Sequence, residues 1–268
     1  MLRKFIGFIF VTIGLICVNY STIATAVTNF FSYQAMVDYT ANTGSSADET
    51  EVEKALDKAH LYNEQLPKID KSLFSQGDML GYLEIPSIDT YLPIRYGTSN
   101  EVLEQDLGVV EGSAIPVGGK GTHAVISGHT GMATKPILTE LSRLQEDDVF
   151  FIHSFGEDLA YKVDQIKVVW PYETKYLEKD DNEDYVTLLT CTPYGINDHR
   201  LLVRGHRIDW DFSSKEAMES IKKAPLDTVT MIKQIVFAVS TVIFFAGIVW
   251  LIISAVKEHK ERKGEMKA

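Results

Sequence analysis

Two charge-free apolar stretches, one near each end of the 268-residue chain, limit what it can fold into. Near the C-terminus, Ile235 to Val256 (IVFAVSTVIFFAGIVWLIISAV) runs for 22 residues without a charge and is followed by the basic tail KEHKERKGEMKA. At about 1.5 Å per residue, a helix of that length reaches roughly 33 Å, enough to cross a hydrocarbon core of about 30 Å. Near the N-terminus, Phe5 to Val37 carries no charge, and Phe5 to Val18 (FIGFIFVTIGLICV) is almost wholly apolar behind Arg3 and Lys4. A basic start, an apolar stretch and then Ala24-Thr25-Ala26 fit a cleaved signal peptide. An uncleaved anchor from Phe5 to about Val27 fits as well. Either way residues from about 31 to 230 are exported. Basic residues outside both apolar stretches favour two spans with both ends in the cytoplasm, and that hairpin is the preferred reading.

Charge separates along the same lines. Of the net charge of −11, residues 1–4 carry +2, Lys233 +1 and residues 257–268 +2, which leaves −16 for residues 31–230. An exported part so acidic excludes a nucleic-acid-binding surface. The chain has two cysteines, Cys17 within the first apolar stretch and Cys191 in the exported part. Cys191 therefore has no intrachain disulfide partner. A lone exported thiol is a liability unless it is buried or used.

The exported part begins with a polar linker, Asp38 to Glu49 (DYTANTGSSADE). From Thr50 to Leu66 the spacing of Val52, Ala55, Leu56, Ala59, Tyr62 and Leu66 predicts an amphipathic helix that Pro67 ends. From Leu80 on, short apolar runs alternate with Gly, Pro, Asn and Asp: LGYLEI, TYLPI, HAVIS, VFFIH, LAYKVDQIKVVW, YVTLLT and RLLVRGHRI. They predict a mostly antiparallel β sheet or barrel over residues 80–210, with one helical turn at Ile137 to Leu144. The acidic run Lys179 to Asp184 lacks the alternation and glycine of a calcium loop and is expected to be a solvated loop. The expected division is an anchor or signal peptide over 1–30, a linker and leading helix over 31–79, and the β domain over 80–210. A juxtamembrane linker over 211–234, a transmembrane helix over 235–256 and a cytoplasmic tail over 257–268 complete it.

Cys191 closes the strand-like VTLLT and precedes the turn signal Thr192-Pro193-Tyr194-Gly195. A strand end beside a loop holds a side chain rigidly yet within reach, although an inert buried thiol would fit the same position. A nucleophilic thiol needs a group to take up its proton and another to stabilise the oxyanion it creates. His129 stands at a comparable strand end, in the sharp bend Ser127-Gly128-His129-Thr130-Gly131 after HAVIS. His123 and His153 sit at strand edges without further signal. Arg200 and Arg204 share one strand face and Arg207 points the other way. A hairpin pairing Thr187–Cys191 with Arg200–Ile208 would bring one of these guanidiniums beside the thiol.

The stretch Thr187-Leu188-Leu189-Thr190-Cys191 resembles the TLxTC signature of sortases, the cysteine transpeptidases of Gram-positive cell surfaces. Pro193-Tyr194-Gly195-Ile196-Asn197, Arg200-Leu201-Leu202-Val203-Arg204-Gly205, GTHAVISGHTG around His129 and LGYLEIPSIDTYLPIRYGTS are similar to the class C, pilus-assembling branch. The resemblance covers about residues 50–210 and extends to the C-terminal anchor. It implies a closed eight-stranded β-barrel with short helices, flanked by transmembrane segments, with the active site in a groove. By residue match it implies Cys191 as nucleophile, His129 as acid/base partner and Arg200 as the arginine that holds substrate and oxyanion. Leu189 and Thr190 are expected at the substrate groove and Arg204 as a groove or structural residue, with no metal and no cofactor. The implied substrates are surface or pilin proteins bearing an LPxTG-like sorting signal, cleaved between Thr and Gly. The implied acceptor is a pilin lysine or a cell-wall precursor, in an enzyme on the membrane with its catalytic domain outside. One departure stands out: class C enzymes usually carry an Asp-Pro-aromatic lid, and this sequence has no such triplet. Asp70 and Phe74 offer only a partial substitute, at the wrong spacing.

Overall fold

The computed structural model of the chain describes residues 2–43, 49–66, 73–131, 137–219, 221 and 228–265, and Asp70 lies outside them. The chain divides into two compact units, residues 27–225 and residues 1–26 with 226–268.

The larger unit is built on eight strands: β1 (Met79–Ile85), β2 (Thr90–Tyr96), β3 (Leu107–Val109), β4 (Thr122–Ser127), β5 (Val149–Ser154), β6 (Glu157–Val169), β7 (Asp184–Thr192) and β8 (His199–Ile208). They close into a barrel in the order β1-β2-β3-β4-β7-β8-β6-β5. β2 pairs with β3 and β4 with β7 in parallel, and the other neighbours are antiparallel. Closure removes the exposed edges that a set of short strands would otherwise present. Alternation along each strand fills the interior: Ala124 and Ile126 from β4, Val186 and Leu188 from β7, and Leu201 and Val203 from β8 share one core. Phe150 and Tyr161 stack inside it at 5.6 Å. A Cβ on Gly205 would lie 2.7 Å from the Phe150 ring, so only glycine lets β8 pass this pair.

Helix α3 (Glu49–Glu64) lies against the barrel where the apolar spacing predicts a helix, burying Ala59 and Tyr62. The Asn63 side chain fixes its position by donating to the Ile115 carbonyl (3.0 Å) and accepting from the Ile115 amide (2.7 Å). Phe74 is buried in the same cluster, against Tyr62, Tyr96 and Phe155, so it is a core residue and not part of a lid. The same unit holds the short helices α4 (Asn100–Leu103) and α5 (Lys215–Glu219) and a 3₁₀ turn at Thr139–Arg143 inside the expected helical stretch.

The N-terminal chain forms α1 (Leu2–Val18) and α2 (Tyr20–Thr43), so residues 38–43, expected as linker, are helical. The cause lies in Tyr39, whose hydroxyl donates to the Leu80 carbonyl (2.9 Å) and accepts from the Phe155 amide (2.7 Å), giving the last turns of α2 a docking point on β1 and the turn after β5. The acidic run also differs in part from expectation. Asp184 is the first residue of β7, where it accepts from Tyr161 (3.0 Å) and the Gly119 amide (2.9 Å) instead of facing water.

In the smaller unit, α6 (Thr228–Glu265) contains Gln234–Lys257, a segment long and apolar enough to cross a bilayer at a mean hydropathy of 2.7. Lys4–Val18 and Thr22–Thr43 meet the same criterion only if taken together as one bent span. Phe8 packs on Phe244, with ring centres 5.8 Å apart. Polar side chains here donate to the carbonyl four residues back: Thr12 to Phe8, Asn19 to Leu15 and Ser240 to Val236. That is the arrangement an apolar medium demands.

Candidate active site

Three strand ends meet on the outer face of the barrel. On β7 the side chains of Val186, Leu188 and Thr190 turn inward, so Leu189 and Cys191 turn outward, both partly exposed. The antiparallel register sets Cys191 directly opposite Arg200 of β8, and opposite residues share a face with Cβ atoms about 5 Å apart. The Arg200 guanidinium is braced by its own turn, donating to the carbonyls of Asn197 (3.2 Å) and His199 (2.9 Å). The Trp170 ring packs at a tilt on the neighbouring His199, with ring centres 4.0 Å apart.

His129 reaches the same place through β4, which runs parallel to β7 and ends level with Leu189. Two hydrogen bonds tie the strand ends together: the Gly128 amide donates to the Leu189 carbonyl (3.0 Å), and the Thr190 hydroxyl donates to the Gly128 carbonyl (2.7 Å). Gly128 precedes His129 and Thr190 precedes Cys191, so the pair of bonds fixes the imidazole-bearing turn against the thiol-bearing strand. The turn is closed from the other side by Leu138 N to the His129 carbonyl (3.0 Å) and Gly131 N to Thr139 (3.1 Å). Gly131, at φ +76°, leaves room for the Tyr194 ring, which a Cβ there would meet at 3.1 Å.

The remaining expected site residues fall elsewhere. Thr190 is 2% exposed and its hydroxyl is committed to Gly128, so it positions the site and does not line the groove. Arg204 sits opposite Thr187, four residues along β8 from Arg200. Both arms of its guanidinium bind Asp164, at 3.0 and 2.8 Å, and it covers the Tyr185 ring at 4.1 Å. It is therefore part of a surface network away from the thiol.

Two histidines without a sequence signal are engaged. His123 is buried between Glu178 and Thr187. His153 bridges Asp158 (2.5 Å) and Glu84 (3.3 Å) and stacks on Tyr82. Burial works against protonation of His153, but the bonds and charges of the two carboxylates outweigh it, and its basicity is raised. Strand parity puts His123 on the outer face; that a loop covers it is a tertiary fact with no local signature. Among the described residues, no group of three or more His, Cys, Asp and Glu side chains is placed to hold a metal ion.

A closed β-barrel presenting a thiol, an imidazole turn and a guanidinium from neighbouring strand ends defines a β-barrel cysteine enzyme. A sortase-domain family model matches residues 83–208. The structure of Clostridium perfringens sortase C with its C-terminal cell wall sorting motif is similar, at 46% identity over 66% of this chain and 100% of that one, with a TM-score of 0.62. Streptococcus pneumoniae sortase C is similar at 36% identity, over 66% of this chain and 97% of that one, with a TM-score of 0.61. Sortase A of Bacillus anthracis is 23% identical over 150 residues, 56% of this chain and 70% of that protein. The chain belongs to the sortase family, and it is accordingly a cysteine transpeptidase whose solved neighbours include class C enzymes.

Proposed function

We propose that the protein is a membrane-anchored, class C-like sortase that joins surface proteins, pilins above all, through an amide bond made at Cys191. The observation that carries this reading is the register that sets Cys191 opposite Arg200, with the His129 turn bonded to the same strand end. In the proposed reaction the Cys191 thiolate attacks the carbonyl carbon of the Thr–Gly bond in an LPxTG-like signal. Arg200 stabilises the oxyanion without titrating. His129 gives a proton to the departing glycine amine as the C–N bond breaks, leaving a thioester on Cys191. An incoming amine then loses a proton to His129 and attacks the thioester, the amide C–N bond forms, and the thiolate leaves.

The pilin reading is supported by the neighbours: the S. pneumoniae sortase C structure is described in terms of pilin substrate specificity. The apolar segment of α6 supports anchoring of the exported unit at the membrane. The missing Asp-Pro-aromatic triplet favours a second reading, attachment of surface proteins to a cell-wall precursor. The test is competition: the full chain in detergent is given an LPxTG peptide with equal concentrations of a pilin domain and of a short oligoglycine amine. Preferential isopeptide formation on a pilin lysine supports polymerisation. Preferential transfer to the oligoglycine supports wall anchoring, and hydrolysis unaffected by either amine contradicts both.

A further inference from the structure

The connection between β6 and β7 has to cross the site. β6 leaves the sheet at Val169, level with Arg200 and hence with Cys191, while β7 begins at Asp184, level with Thr122 at the far end of β4. In the barrel order β8 and β7 lie between β6 and β4. The connection, residues 170–183, nevertheless touches β4: the Glu178 carbonyl lies 3.0 Å from Nδ1 of His123. His123 alternates with the core residues Ala124 and Ile126, so its side chain stands on the outer face. Residues 170–178 therefore pass from the Cys191 end across the outside of β8 and β7, and form a wall beside the strand positions that carry Cys191 and Leu189.

This wall is fastened at two points. Close to its start, Trp170 packs at a tilt on His199, the residue before Arg200. Further along, the only side chain bonded to the Glu178 carbonyl among the described contacts is His123, 4% exposed. Its other nitrogen, Nε2, lies 2.7 Å from the hydroxyl of Thr187, which is fully buried on β7. A carbonyl only accepts, so Nδ1 carries the proton, and in the neutral ring Nε2 then accepts from the Thr187 hydroxyl. Burial disfavours the charged ring, and the Arg204 guanidinium adds to that, against the opposing pull of the Glu178 carbonyl and Asp164. The imidazole thus joins three elements: β4 that leads to His129, β7 that leads to Cys191, and the connection that crosses them.

We propose that His123 is a positioning residue for the transfer reaction, tying the 170–183 wall to β4 and β7 and so setting the width of the groove that receives the sorting peptide. The proposal rests on the sortase reading for its kinetic consequence, but the tether itself can be read independently. Two exposed lysines, Lys175 and Lys179, flank the tethered carbonyl and report on the wall through tryptic cleavage. In the full chain in detergent, His123→Ala is expected to speed cleavage at these lysines on the order of tenfold and to raise KM for an LPxTG peptide by a similar factor. The change in kcat with a short amine acceptor is expected to stay within about threefold. His123→Asn places an amide N–H where Nδ1–H stood and is expected to restore both values. Wild-type cleavage and KM in a folded His123→Ala protein would overturn the proposal, as would a loss that His123→Asn does not rescue. Should His123→Ala fail to fold, Thr187→Val carries the test: faster cleavage at Lys175 and Lys179 supports the tether, and an unchanged rate overturns it. If the wild-type protein transfers no peptide, the sortase reading fails, while the cleavage rates still decide whether His123 holds the wall.

Discussion

Cys191 and Arg200 face each other because β7 and β8 are antiparallel with a six-residue turn between them, 193–198, and the register leaves no slack. A one-residue slip would turn the thiol into the core, where Thr190 now sits. One nitrogen of Arg200, Nη1, donates to the carbonyls of Asn197 and His199, and a lysine ammonium held there would have no second nitrogen to offer the oxyanion. Arg200→Lys is therefore expected to lower kcat/KM about 100-fold despite keeping the charge, and His129→Ala to cost about 10²–10⁴-fold, both measured with peptide and amine acceptor. Thr190→Val, which removes only the hydroxyl bond to Gly128, is expected to reduce kcat while leaving the alkylation of Cys191 by a small reagent intact.

At the level of elements, the barrel is held by contacts whose loss can be weighed. Phe74 is 6% exposed within a cluster of four aromatic rings that joins α3 to β2 and to Phe155 after β5. Phe74→Ala is expected to cost about 3–5 kcal/mol in denaturant unfolding, through the lost burial and the cavity left behind. Two histidines on the barrel make opposite contributions to pH dependence. His153, raised by its carboxylates, stabilises the fold fully below its ordinary value of 6.5, and that contribution is lost as pH rises through the raised folded value. His123, lowered by burial, contributes above 6.5, and its contribution is lost as pH falls toward the depressed folded value. His153→Gln should remove the first and leave the second, so the unfolding midpoint of this variant should fall between pH 7 and pH 5.5 more steeply than in the wild type.

These same elements show what was legible in the sequence. Strand-length apolar runs bounded by turn residues marked every strand except the short β3, and the helical spacing from Thr50 to Leu66 marked α3. The extension of α2 to Thr43 was not legible, because it depends on Tyr39 finding partners at Leu80 and Phe155. Thr190, expected at the groove, is turned inward by strand alternation. Arg204 shared the face of Arg200 by parity, yet only the fold reveals Asp164 beside it, in the part of β6 where the pairing with β8 shifts register. His123 carries no local signal because its partners lie 55 and 64 residues away.

For the molecule as a whole, the proposed topology puts the acidic middle of the chain outside the membrane and both basic ends inside. Residues 31–230 carry −16, while the tail after Val256 and the start before Phe5 are positive. Protease added to intact cells is expected to digest residues 27–225 and to leave an epitope placed after Ala268 protected. Digestion of that epitope instead would contradict the proposed topology.

If Cys191 carries the acyl group between donor and acceptor as proposed, rapid-quench mass spectrometry of the full chain with an LPxTG peptide will trap it there. An acyl adduct confined to Cys191, absent in Cys191→Ala, is expected to disappear into an amide-linked product when an amine is added. Amide product formed by Cys191→Ala, or an adduct that water removes at the same rate with and without amine, would contradict it.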